Sequence, residues 1–183
     1  MRVITGLAKG KRLKTLEGND VRPTPERVKE AVFSAIQFEL EGRSFLDLFA
    51  GSGQMGIEAL SRGAAFCLFA DANPEAAEMV RANLAHTGFT EQAKVIRGDY
   101  AAVLAGLDRT FDFIFLDPPY AAGLLPKAAE LCERVLSPVG LLICEHPKEH
   151  QLPNAIGSLQ RVKIYKHGRV HFSLYKREGN KLE

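Results

Sequence analysis

Ser44-Phe45-Leu46-Asp47-Leu48-Phe49-Ala50-Gly51-Ser52-Gly53-Gln54-Met55-Gly56 sets an apolar run directly before three glycines. The run over residues 44–49 reads as a short buried strand. Gly51, Gly53 and Gly56 match G-x-G-x-x-G, and helical spacing follows over residues 55–62, so the pattern stands in the strand-to-helix context it requires. A strand, a glycine turn and a helix in that order open an α/β sheet whose ligands bind beyond the carboxyl ends of its strands. One residue breaks the apolar run: Asp47, four positions before Gly51.

On the C-terminal side the alternation continues. Residues 65–70 are a second strand candidate ending at Asp71. Asn73-Pro74-Glu75 supplies an N-cap, a proline at the first helical position and an acid in the first turn, and Gly88 is a stop signal. Residues 93–97 are a third strand, followed by Asp99 and Tyr100. Residues 112–116 are a fourth, ending in Asp117-Pro118-Pro119-Tyr120. A helix over 124–136 and a buried strand over 141–145 follow. The pattern then changes to alternating segments over 159–166 and 169–176, joined at His167-Gly168 as a tight hairpin. The expectation is a mostly parallel, Rossmann-like sheet of seven strands closing in an antiparallel hairpin.

The front end reads separately. Residues 2–5 and 11–16 are expected to pair as a small hairpin, giving an N-terminal extension over 1–20 and a main domain over 21–183. Arg22-Pro23-Thr24-Pro25-Glu26-Arg27 opens a helix with an apolar stripe at Val28, Ala31, Val32, Ala35 and Ile36.

At 183 residues the chain holds one sizeable core. Its 46% hydrophobic and 25% charged content is that of a globular protein, and no apolar run approaches the ~20 residues of a membrane span. Cys67, Cys132 and Cys144 are odd in number and lack metal-site spacing, and the five histidines are scattered, so no metal is expected. A reducing cytoplasm fits. The net charge of +2 conceals an asymmetry: residues 1–16 hold five basic residues and residues 155–177 hold six, with no acid in either segment. Basic ends around an acidic middle suggest a polyanionic partner. Arg2, Lys9, Lys11, Arg12, Arg22 and Arg27 are the candidate phosphate contacts at the front.

The glycine turn with Asp71 near a second strand end suits either a nicotinamide dinucleotide or S-adenosylmethionine (SAM). Asp47 favours the second, because a carboxylate there repels a pyrophosphate and attracts the ammonium of a methionine moiety. Asp71 would accept from ribose hydroxyls, Asp99 from the adenine amine, and Tyr100 would pack near the ring. At the fourth strand end, Asp117 and the Pro118 carbonyl are two acceptors for an amino group with two N–H donors. Tyr120 would lie against a flat heterocycle. That set suits chemistry on the exocyclic amine of a nucleobase.

Together these residues resemble the RsmD-type family of SAM-dependent methyltransferases. The likeness runs through Arg2-Val3-Ile4-Thr5-Gly6, Lys9-Gly10-Lys11-Arg12-Leu13, Arg22-Pro23-Thr24, Leu46–Gly53, Glu58-Ala59-Leu60-Ser61-Arg62-Gly63-Ala64 and Phe115–Tyr120. It implies a class I methyltransferase fold, SAM as cofactor, a front hairpin that helps grip RNA, and methylation of guanine N2 in 16S rRNA of the small ribosomal subunit. A monomer is expected. The alternatives are an adenine-N6 or other amino-methyltransferase, a non-catalytic RNA-binding or ribosome-assembly module, and a nicotinamide oxidoreductase.

Overall fold

A computed structural model describes residues 1–15, 26–119 and 123–179. Eight strands form one sheet: β1 (Ser44–Leu48), β2 (Phe66–Asp71), β3 (Ala93–Arg97), β4 (Phe111–Leu116), β5 (Leu136–Pro147), β6 (Ala155–Ile156), β7 (Leu159–His167) and β8 (Val170–Arg177). Their order is β3-β2-β1-β4-β5-β8-β7-β6. The first five pair in parallel and the last three antiparallel. β1 is central, with β2 on one side and β4 on the other, so the chain reverses its winding direction at β1 and β4. The carboxyl ends of that pair are the switch point where such sheets bind ligands.

Among the described residues the count is eight strands rather than seven. β6 has two residues and folds back on β7 through Ile156↔Leu159, too short to leave an alternation signal. β5 begins at Leu136, five residues before its expected start, because Ser137-Pro138 lies inside the strand at a register shift against β4. The preceding helix accordingly ends at Cys132.

Side-chain alternation divides the core in two. Phe45, Phe113, Phe115, Ile143 and Phe172 face one side, where helices α1 (Glu26–Ile36), α2 (Gln54–Ser61) and α3 (Pro74–Thr87) pack. Leu46, Leu48, Ile114, Leu116, Leu142 and Cys144 face the other, under α4 (Tyr100–Ala105) and α5 (Leu124–Cys132). The α3 signals fold as read: Asn73 accepts from the Glu75 amide, Pro74 stands at the first turn, and Gly88 closes the helix at φ 89°. All three cysteines are buried and free, and burial pushes their thiols up.

Among the described residues the front segment pairs at one bridge, Arg2↔Arg12, with flanking backbone bonds from Val3 to Lys11 and from Leu13 to Met1. Val3, Ala8 and Leu13 enter the first core cluster. A buried ionic hub fixes the segment there. The Glu58 carboxylate lies 3.0 Å from Lys29 Nζ, with both side chains fully buried, and 2.8 Å from Arg62 Nε. The same carboxylate accepts the amides of Ile4 and Thr5, while Lys29 donates to the Arg2 carbonyl. Ser61 adds a bond to Thr5 O at 2.6 Å and accepts from the Ala8 amide. Burial holds the Lys29 ammonium below its ordinary range, partly offset by Glu58. Removing one partner of a buried ion pair costs about 3–5 kcal/mol, because the other charge stays buried. Glu58→Gln is therefore expected to lose stability on that scale in chemical denaturation and to expose residues 1–15 to proteolysis. A loss below about 1 kcal/mol would show that the hub does not anchor the segment.

Candidate functional site

The turn after β1 is held in an uncommon shape. Phe49 adopts φ 71°, the left-handed region that costs a non-glycine residue energy, and its amide and that of Ala50 both donate to the Ala70 carbonyl. The turn is thereby hooked onto the end of β2. Gly51 follows at φ 54°, and a side chain there would project into open space. Gly56 serves packing instead: a Cβ would stand 2.3 Å from the Phe69 ring, so only glycine lets α2 lie this close to β2.

The carboxylates gather around this turn. Asp47 is buried beneath it and accepts from the Gly56 amide at 2.9 Å. Burial pushes its carboxyl up to about 7, against the Gly56 bond, with the negative charge of Asp71 adding to the rise. Asp71, at the end of β2, accepts from the Gly51 amide at 2.8 Å and from the Asn73 amide at 2.9 Å. Asp117 follows β4, and burial, then Glu145, then Asp47 drive its carboxyl well above the usual range. Acids crowded at successive strand ends form a negative well. Such a well attracts a cation and disfavours a pyrophosphate, which counts against the dinucleotide reading.

Two further features fit a cationic ligand with a flat ring. Gln54 Oε1, in the glycine turn, is buried and has no hydrogen-bond partner among the described residues. An ammonium would supply the missing donor. Beyond the turn, the Phe49 and Tyr100 rings lie 5.4 Å apart at 40°, both half-buried. Asp99 is exposed and caps α4, its Oδ1 accepting from the Ala101 and Ala102 amides. Of the expected cofactor set, the structure therefore brings Asp47, Gly51, Gly53 and Asp71 together around one turn. Tyr100 and Asp99 stand one loop away.

At the end of β4, Pro118 is buried and its carbonyl accepts no hydrogen bond from the described residues. Tyr120 and Arg22 lie outside the described residues, as do Thr24 and Pro25 at the expected helix entry. His146 lies on the opposite face of the sheet, bonded to Ser173 at 2.9 Å. Sequence reading missed Phe49, Gln54 and Glu145. Glu145 is hidden within the apolar run of β5, and only strand register sets it beside Asp117.

The basic candidates at the front divide. Lys11 donates to the His86 and Thr87 carbonyls at the end of α3, and Arg2 lies 3.2 Å from Glu26. Lys9, Arg12 and Arg27 are exposed. Asn83 ties this segment to the glycine turn, bonding the Lys14 backbone at both ends and donating to the Ser52 carbonyl. At the other side of the site, the β7–β8 turn meets the end of β5 through Lys148 N and Arg169 O, leaving Lys148, Lys166 and Arg169 exposed. Exposed cations therefore flank the carboxylate well. Among the described residues there is no cluster of potential metal ligands, and no helix is long and apolar enough to cross a membrane.

The family described as "Conserved hypothetical protein 95" matches residues 1–176. Ribosomal RNA small subunit methyltransferase D of Escherichia coli K12 is 34% identical over 183 residues, covering 98% of this chain and 91% of that one. YlbH of Bacillus subtilis strain 168 is 39% identical over 184 residues, covering 98% of this chain and all of its own. The solved structure of the Escherichia coli methyltransferase-class protein yhhF superposes with a TM-score of 0.87 at 30% identity, covering 98% of this chain and 99% of that one.

Proposed function

The chain belongs to the RsmD-type methyltransferase family, and from that premise we propose that it methylates the exocyclic N2 amine of a guanine in 16S rRNA of the small ribosomal subunit, with SAM as methyl donor. The observation that carries the reading is the pair of acceptors at the switch point. Asp117 and the Pro118 carbonyl, which accepts no hydrogen bond from the described residues, stand at the end of β4, next to the acid-lined glycine turn of β1.

SAM, when bound, supplies a sulfonium-activated methyl and so brings the electrophile. Asp47, Gln54 and Asp71 would hold its charged and hydroxyl groups, and Phe49 and Tyr100 its ring. The protein's own task is positioning. A guanine amine is a weak nucleophile because its lone pair is delocalised into the ring. Asp117 and Pro118 O would accept its two hydrogens, which favours a pyramidal nitrogen with the lone pair directed at the methyl. Asp117 then stands where it can receive the amine proton. Tyr120 would stack on the base, which must leave its neighbours to enter the pocket.

The cations beside the site would hold the RNA backbone. Lys9→Ala with Arg12→Ala is expected to weaken RNA binding and to lower the slope of log affinity against log salt by about 1–2, since each phosphate contact contributes roughly 0.7–0.9. An unchanged slope would remove the front segment from the RNA site. Lys11 is left intact in this pair because its ammonium caps α3.

The reading is tested by methyl transfer from labelled SAM to small subunits lacking the family's modification, and separately to protein-free rRNA, with nucleosides identified by mass spectrometry. N2-methylguanosine supports it. N6-methyladenosine would retain the mechanism and change the base. SAM binding without transfer to either substrate would withdraw the reading to the level of fold.

A further inference from the structure

Residues 155–177 carry six basic side chains and no acid. The fold itself uses several of them. Arg161 donates to the Leu152 carbonyl and to Asn154, Lys176 lies 3.6 Å from Glu39, and Arg177 donates to the Glu133 and Leu136 carbonyls. Lys163 lies over the Tyr165 ring at 4.7 Å. Lys166 and Arg169 are exposed, and neither is in an ion pair with a described residue.

Strand lengths place these two. Leu116, the last residue of β4, pairs with Cys144, whereas β5 runs on to Pro147 and pairs there with Val170 of β8. From Cys144 to Pro147 that end of the sheet rises about 10 Å beyond β4. Asp117 and Pro118 leave β4 at the foot of this wall. His146, His171 and Lys166 form one row across it. Arg169, in the β7–β8 turn, stands at its crest, where its carbonyl accepts from the Lys148 amide. The Lys148 side chain is shared with Glu149 at 3.9 Å. Neighbouring strands lie about 4.8 Å apart, which roots Lys166 about 14 Å from the β4 column.

The front cations stand elsewhere. The Leu7 amide donates to the carbonyl of Ser61, the last residue of α2, while the glycine turn precedes the first. The eight residues of that helix put the turn carrying Lys9 about 12 Å from the glycine turn, towards the opposite end of the sheet.

An RNA whose base enters at Asp117 brings the adjoining sugar and phosphates to the rim of that pocket, and the exposed cations on the β5 side of the rim are those of the hairpin. We propose that Lys166 and Arg169 hold the phosphates flanking the target nucleoside and so place its base against Asp117 and Pro118, while the front segment grips a separate stretch of the rRNA. This rests on the methyltransferase reading above and divides the RNA contacts by task. Remote cations strengthen binding in the ground and transition states alike. Cations that place the reacting nucleotide also act on the transfer step.

The test uses small subunits reconstituted with 16S rRNA whose linkages on either side of the methylated guanosine are natural or uncharged methylphosphonates. Lys166→Ala with Arg169→Ala removes two exposed side chains, so melting temperature and SAM affinity are expected to stay at the wild-type values. On natural linkages this double variant is expected to lose about ten- to a hundredfold in single-turnover transfer at saturating subunits, the scale of a hydrogen bond to a charged group. Uncharged linkages should slow the wild type by a similar factor and the double variant by little more, because its contact is already gone. Lys9→Ala with Arg12→Ala should keep the full sensitivity to the linkages. A wild type indifferent to the linkages overturns the inference. So does a double variant that transfers at the wild-type rate, or one whose loss multiplies in full with that of the linkages. In each of these cases N2-methylguanosine from the wild type on natural subunits leaves the proposed function standing. No transfer from the wild type to natural subunits overturns both.

Discussion

Asp117→Ala is expected to abolish methyl transfer, by about 10³-fold or more in single-turnover rate, while SAM affinity stays within a few-fold. The magnitude follows from the role. An acceptor that shapes the nucleophile acts only as the nitrogen becomes pyramidal, and such interactions appear in the rate rather than in ground-state binding. Asp117 follows β4, whereas the glycine turn that would carry the cofactor follows the neighbouring strand β1. Isothermal titration with SAM and a rapid-quench transfer assay separate the two effects. Transfer within tenfold of wild type would give the amine to another acceptor. Loss of SAM affinity in step with the rate would make Asp117 part of the cofactor site.

The same substitution has a second signature, in stability. Burial and Glu145 raise the Asp117 carboxyl well above its unfolded value. A carboxyl with a raised folded pKa is ionised first in the unfolded chain. Wild-type stability is therefore lost as pH rises from the unfolded value towards the folded one. Removing Asp117 removes that loss. The variant should match or exceed the wild type in denaturant resistance at neutral pH while being inactive, the behaviour of a residue kept for function against the interests of the fold. The activity of the wild type should run the other way. It rises with pH as Asp117 becomes an acceptor, at a pH above that of an ordinary carboxylate.

Much of this site can be read in the sequence because its parts are local. Asp47 and the three glycines share one strand–turn–helix unit, and Asp117 and Pro118 share one strand end, so spacing alone identifies them. Glu145 could not be found that way. It lies 28 positions from Asp117, inside a run whose apolarity says only that the strand is buried, and its neighbour is fixed by parallel register across a helical crossover. Glu58 was hidden for a different reason. An acid four residues before Arg62 on a helix looks like a surface pair. It is instead buried and bonded to two backbone amides of the front segment. That bonding gives a physical reason for Glu58, Ser61 and Arg62 to stand where they do in the segment that carried the family resemblance. Lys11 shows the opposite difficulty: a basic residue in a basic segment reads as a phosphate contact, yet the structure gives its ammonium two helix-end carbonyls.

Asp47→Asn carries the other large expectation, with stability and binding moving in opposite directions. Below about pH 4 Asp47 is protonated in both the folded and unfolded protein, so the substitution should change little. Between that value and about 7, where burial has moved the folded carboxyl, the unfolded chain gives up the proton and the folded one keeps it. The wild type thus loses stability across this window, and asparagine does not. The advantage of Asp47→Asn should grow from near zero at pH 4 to a plateau above pH 7, at most about 4 kcal/mol from the size of the shift. Asparagine can still accept from the Gly56 amide, so the turn is retained. What it lacks is charge. If the acid well holds the ammonium of SAM, affinity should fall about ten- to a hundredfold in the variant. In the wild type, SAM binding should tighten as pH rises through 7 and should release protons. Denaturation at pH 4, 7 and 8.5, with titration calorimetry in buffers of different ionisation enthalpy, measures all three. A variant less stable than wild type at pH 8.5 would mean that Asp47 stabilises the empty fold. Unchanged SAM affinity would place the ammonium elsewhere in the turn, with Gln54 the next candidate to replace.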